Sequence, residues 1–123
     1  MLAISSPSEA YRRVDLDARV EGADQAELVR VCIDQLVGAL GTAIFAGQNA
    51  DNALKSQSLT KALSAATALQ MGVSGQGGVA QALRHVYEAA RRTILDSVLD
   101  FDAARLAVVR DDFREIGQAM REV

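Results

Sequence analysis

Four long stretches of helical periodicity fill most of this chain, and no proline interrupts any of them. They are Gln25–Ala46, Asn52–Gly72, Val79–Asp100 and Ala103–Glu122. In each, apolar residues recur at three- and four-residue spacing, which lines up one face of a helix. A proline inside such a stretch would break it, and the one proline, Pro7, lies ahead of all four. Half of the 123 residues are apolar, but there are only three Phe, two Tyr and no Trp. A core built mainly of Ala, Leu and Val suits close-packed helices better than sheets, which draw on β-branched and aromatic residues. The pattern predicts an all-α fold, an antiparallel up-down four-helix bundle over residues 24–123. Residues 1–23 are expected to form a separate N-terminal segment with room for a short helix.

Punctuation supports this division. Ser6-Pro7-Ser8-Glu9 reads as a capping box with proline at the first helical position. The short helix it starts, carrying Tyr11 and Val14, needs a surface to lie on, because one or two turns are unstable alone in water. Gly22 closes that segment. Asp24 with Glu27 repeats the capping logic before the first long helix, and Gly47 is expected to end that helix as a C-cap glycine. Asp51 and Asp102 are expected N-caps. Gly72, Gly75, Gly77 and Gly78 make the clearest break, a flexible helix-to-helix connection.

The helices differ in how much of their surface is apolar. On the first, Leu28, Val29, Cys32, Ile33, Leu36, Val37, Leu40 and Ile44 cover half of the helical wheel. A surface helix needs a stripe only about 100° wide. The second has a small-residue interior, Ala53, Ala62, Ser64, Ala65, Ala66 and Ala68, which leaves shallow grooves wherever nothing packs on it. The third has a clean stripe of Val79, Leu83, Val86, Tyr87, Ala90, Ile94 and Val98. On the fourth, Leu106, Val109, Phe113, Ile116 and Met120 share one side. Val31, Phe45, Leu95, Leu99 and Val108 fall outside these stripes. With Tyr11 and Val14 they are the apolar remainder once a core is built, and contiguous apolar surface of that kind marks protein–protein contact. Adjoining helix grooves of this sort receive a partner's amphipathic helix.

Several other functions find no support. A net charge of −3 gives no basic footprint for nucleic acid. The single Cys32 forms no internal disulfide, fits a reducing compartment and sits among apolar residues as an inert thiol. The N-terminus lacks the basic and apolar regions of a secretory signal, and no uninterrupted apolar run of about 18 residues is present to span a membrane. A cytoplasmic protein is expected. His85 invites comparison with phosphotransfer bundles, but Val86-Tyr87-Glu88 follow it where such a site wants a small residue and Lys-Gly. The Glu-x-x-His pairs of di-metal bundles are absent, and the glycine-rich loop lacks the lysine and strand of a phosphate cradle. Asp111-Asp112 and Arg91-Arg92 read as solvated faces. No enzyme, metal or cofactor is expected.

The order of these elements resembles the FliS family of flagellar export chaperones, from about Gly22 to Met120, with weaker similarity around Tyr11. Asp24-Gln25-Ala26-Glu27-Leu28 is similar to the family's entry to its first long helix, and Val31-Cys32-Ile33-Asp34 to the apolar run that follows. Asp51 with Leu59-Thr60-Lys61-Ala62 resembles the second-helix pattern. Leu83, Tyr87, Arg91 and Arg92 fit the third, and Asp102 with Phe113-Arg114-Glu115 the fourth. Ile33 stands where the family has Tyr, Gln35 where it has Gly, and Gly117 where a Trp is expected. The resemblance implies a cytoplasmic chaperone in bacterial flagellum biogenesis, monomeric or a weak homodimer. It implies that the chaperone binds the C-terminal segment of flagellin, blocks premature polymerisation and hands its client to the type III export apparatus. It also implies an N-terminal segment lying over part of the groove. The alternative left open by the residues themselves is a helical-bundle adaptor or homodimer with another client, the wide apolar face of the first helix being the seam.

Overall fold

The computed structural model describes residues 25–121 and consists of four helices joined by short turns: α1 (Gln25–Gln48), α2 (Asn52–Gly72), α3 (Gly78–Leu99) and α4 (Ala103–Arg121). The N-terminal segment, its expected short helix and the Asp24 cap lie outside the described residues. Neighbouring helices run antiparallel. Gln25 Nε2 at the start of α1 donates to the carbonyl of Gly72 at the end of α2, Gln70 on α2 donates to Glu88 on α3, and Arg121 at the end of α4 donates to Asp34 on α1. α1 packs on α2 and α4, and α2 also packs on α3. The α3–α4 side of the bundle is the sparsest.

The core follows the predicted stripes. Ile33, Leu36, Leu40 and Ile44 of α1 meet Leu59, Ala62, Ala66 and Leu69 of α2, Tyr87, Ala90 and Ile94 of α3, and Leu106 and Phe113 of α4. The ring centroids of Tyr87 and Phe113 lie 6.0 Å apart in a tilted arrangement, a favourable aromatic geometry. The caps on α2 and α4 are as expected. Asp51 accepts from the Leu54 amide, and Asp102 from the Arg105 amide, both at 3.1 Å, each satisfying one orphan donor of a first turn.

Three local expectations are corrected. Gly47 does not end α1. The helix runs on to Gln48 and closes in a Schellman motif, with Asp51 N–H donating to the Ala46 carbonyl and Ala50 N–H to the Gly47 carbonyl. The left-handed residue of that motif is Ala50, at φ 57°, a place usually held by glycine. Gly47 has a packing role instead, with the ring of Phe101 against it. On α3, Val79 (78% exposed) and Val98 (57% exposed) are not in the core, and Val86 is also on the surface. The buried stripe continues from Leu83, Tyr87, Ala90 and Ile94 to Ser97, one residue before Val98, while Val79 lies in the first turn. Leu28, in the first turn of α1, is likewise exposed.

α1 also meets the length and composition of a membrane-crossing helix, although Asp34 interrupts its apolar run. Its inner side lies in the bundle core, and a core helix passes that test as readily as a membrane span.

Candidate partner-binding surface

A helix that is apolar all round is ordinarily buried all round. α1 is not: among the described residues only α2 and α4 cover it, and its third side faces outward. From Val31 to Gln48 its one charged residue is Asp34, which is paired with Arg121 at 2.7 Å on the α4 side. The outward side is formed by Val31, Gln35, Gly38, Thr42 and Phe45, which share one face at helical spacing. Phe45, with 62% of its surface exposed, is the largest apolar group on it.

Beside this face runs a groove of about 550 Å³ between α1 and α2. Gly38, Ala39 and Thr42 line it from α1, and Leu54, Gln57, Ser58, Lys61 and Ser64 from α2. Of the small α2 residues expected to leave grooves, only Ser64 lines it; Ala62, Ala65 and Ala66 are buried in the core. Thr42 bonds back to the Gly38 carbonyl at 3.0 Å, which satisfies its hydroxyl within its own helix. Val31 lies one turn before Gln35, and Phe45 one turn after Thr42, so apolar side chains flank the groove on the α1 face at both ends.

All five described contact candidates are exposed: Val31, Phe45, Leu95, Leu99 and Val108. They do not form one patch. Val31 and Phe45 belong to the outward face of α1. Leu95 and Leu99, the latter 91% exposed, sit at the end of α3 beside exposed Val98. Val108 is on α4, where its neighbours one turn away, Ala104, Arg105, Asp111 and Asp112, are all exposed and mostly charged. Tyr11 and Val14 lie outside the described residues.

Sequence reasoning did not pick out Gly38, Thr42 or Ser58, and it noted Lys61 only within the second-helix pattern, not as a contact residue. The signal that could have found them is charge. Between Val31 and Gly72 the chain holds only Asp34, Asp51, Lys55 and Lys61, whereas α3 and α4 are charged throughout. A half-bundle with so little charge on its outer wall is a surface suited to contact.

A second crevice, about 270 Å³, lies between α1 and α4 around Ile33, Phe113 and Gly117. Gly117 is buried, and a β-carbon there would stand 3.2 Å from Ile33 Cγ2. A side chain at this position, where the family resemblance leads one to expect Trp, would have to push Ile33 aside. Burial pushes the phenol of Tyr87 above its ordinary value, and Cys32 adds to the effect. His85 is exposed, and among the described residues no group of His, Cys, Asp and Glu could hold a metal.

The family model described as flagellar protein FliS matches residues 7–123. This chain belongs to the FliS family. Membership places it among flagellar export chaperones, soluble cytoplasmic binding proteins rather than enzymes. No curated protein matches it. The helical bundle and the charge-poor outer wall of α1 and α2 agree with a chaperone's work, which needs apolar surface and no reactive group.

Proposed function

We propose that this FliS protein binds the C-terminal segment of flagellin along the α1–α2 groove and keeps it from polymerising before type III export. The supporting observation is the exposed, uncharged side of α1, with the groove beside it and Val31 and Phe45 on its flanks. Exposed apolar helix surface next to a small-residue groove suits an amphipathic helix. Leu95 and Leu99 form a second contact patch for the same extended client. Val108, ringed by charge, contributes least.

The mechanism is masking. Flagellin segments that would pack on one another are instead ordered on the chaperone. Ordering a disordered segment consumes part of the interaction free energy, so affinity stays modest for the area buried and release to the export apparatus remains feasible. Calorimetric titration of the chaperone with the flagellin C-terminal segment is the test. Binding at micromolar concentration with a negative heat-capacity change is expected. No binding in that range, or binding with unchanged heat capacity, overturns the proposal.

A further inference from the structure

The four charged residues between Val31 and Gly72 are not equivalent. Asp34 is bonded to Arg121 at 2.7 Å. Asp51 caps α2. Lys55 holds its ammonium 5.1 Å from the centre of the Phe101 ring. Lys61 alone is uncommitted: it is exposed, it lines the groove, and among the described residues no acidic side chain pairs with it. Every other group lining the groove is neutral, Gln35 and Gln57 being the most polar.

We infer that Lys61 sets the register of the bound helix by pairing with one acidic residue on the client, placed among its apolar anchors. This rests on the groove being the client's site. Lys61 lies between Leu54 and Ser64, so the stretch of α2 that lines the groove spans about 15 Å at 1.5 Å per residue. That length takes roughly three turns of a partner helix. Apolar anchors at i, i+3 or i+4, and i+7 fill the small-residue floor, but such a floor is tolerant: a one-turn slip of the client replaces apolar contacts with similar ones. A lone charge is intolerant. In a neutral groove, a slip would leave the client's carboxylate against apolar surface and Lys61 covered without a partner. Like or absent charge at a desolvated contact discriminates registers more sharply than apolar packing does.

The test titrates the flagellin C-terminal peptide into wild-type protein, Lys61→Gln, Lys61→Glu and Gly38→Trp. A β-carbon at Gly38 meets nothing within 4 Å, so the indole can fill the groove without entering the core. The expected result is loss of binding in Gly38→Trp and about tenfold weakening in Lys61→Glu. A smaller loss is expected in Lys61→Gln. A peptide with the corresponding acid changed to Lys should recover affinity for Lys61→Glu. Equal affinity of wild type and Lys61→Glu, with Gly38→Trp still blocking, overturns the Lys61 role and leaves the groove assignment standing. Binding unaffected by Gly38→Trp removes the groove itself, and with it this inference. Failure of the wild-type protein to bind the peptide defeats the proposed function, a different outcome from either.

Discussion

Phe101, in the turn before α4, lies so close against Gly47 of α1 that any β-carbon at position 47 would collide with its ring. Lys55 approaches the same ring from α2. One aromatic side chain thus ties the α3–α4 turn to both α1 and α2 at the end of the bundle where α1 stops and α4 starts, and it sits so close to α1 only because residue 47 has no side chain.

The first prediction follows from that contact. Alanine is worth about 1 kcal/mol more than glycine inside a helix, so Gly47→Ala would ordinarily stabilise α1. Here the methyl group must displace Phe101, an overpacking cost of about 1–3 kcal/mol, and a net loss of stability is expected in chemical denaturation. In a Phe101→Ala background the sign should reverse, with Gly47→Ala stabilising by up to about 1 kcal/mol. Additive effects in the two backgrounds would disprove the contact.

Ala50 offers the opposite case. It holds the left-handed position of the Schellman motif at φ 57°, where a β-carbon is strained. Ala50→Gly should raise stability by about 0.5–1 kcal/mol, after allowing for the extra freedom glycine has in the unfolded chain. A higher midpoint at unchanged denaturant slope is the expected measurement.

These two positions show where the sequence was legible. Helical periodicity located all four helices, and α2 has the expected ends, Asn52 and Gly72. At the end of α1 glycine is the usual stop, but the left-handed residue there is Ala50, a choice that helix-end preferences do not anticipate. The packing role of Gly47 depends on a ring more than fifty residues away in sequence, which no local rule contains. The same limit applies to Val79, Val86 and Val98. A helical wheel gives the direction of a side chain but not whether a neighbouring helix is there to cover it, and the α3–α4 side is sparsely packed. Val31, Phe45, Leu95, Leu99 and Val108 were legible as exposed because core stripes leave them over, whereas exposed Met71 at the end of α2 was not. Their division into an α1 face, an α3 end and isolated Val108 needed the helix arrangement.

Tyr87 carries both a packing and a pH prediction. It is buried against Phe113, so Tyr87→Ala should cost about 2–4 kcal/mol. Its phenol is held above the ordinary 10.0 by burial, with Cys32 adding to it. Below pH 10 the group is neutral in both folded and unfolded chains and contributes no pH dependence. Above that, the unfolded chain releases a proton that the folded chain retains, so stability falls as pH rises. Tyr87→Phe should reduce the alkaline decline seen in urea midpoints measured between neutral pH and pH above 10. An identical decline in wild type and Tyr87→Phe would contradict the buried phenol.

Exposed residues give the sharpest separation of folding from binding. Val31, Phe45 and Val108 are all open to solvent, so an aspartate at any of them removes little core contact, and stability changes within about 0.5 kcal/mol are expected. Binding should divide them. Phe45→Asp and Val31→Asp place a charge on the uncharged α1 face, where a docked helix would have to desolvate it, and at least tenfold weaker binding of the flagellin C-terminal segment is expected, about 1.4 kcal/mol or more. Val108→Asp adds one more charge to a ring already holding Arg105, Asp111 and Asp112, and should weaken binding less than about threefold, within the range of energetically neutral contacts. Circular dichroism melts alongside calorimetry separate the two effects. If Val108→Asp weakens binding more than Phe45→Asp, with both proteins fully folded, the client lies on α4 and the α1–α2 groove is not its site.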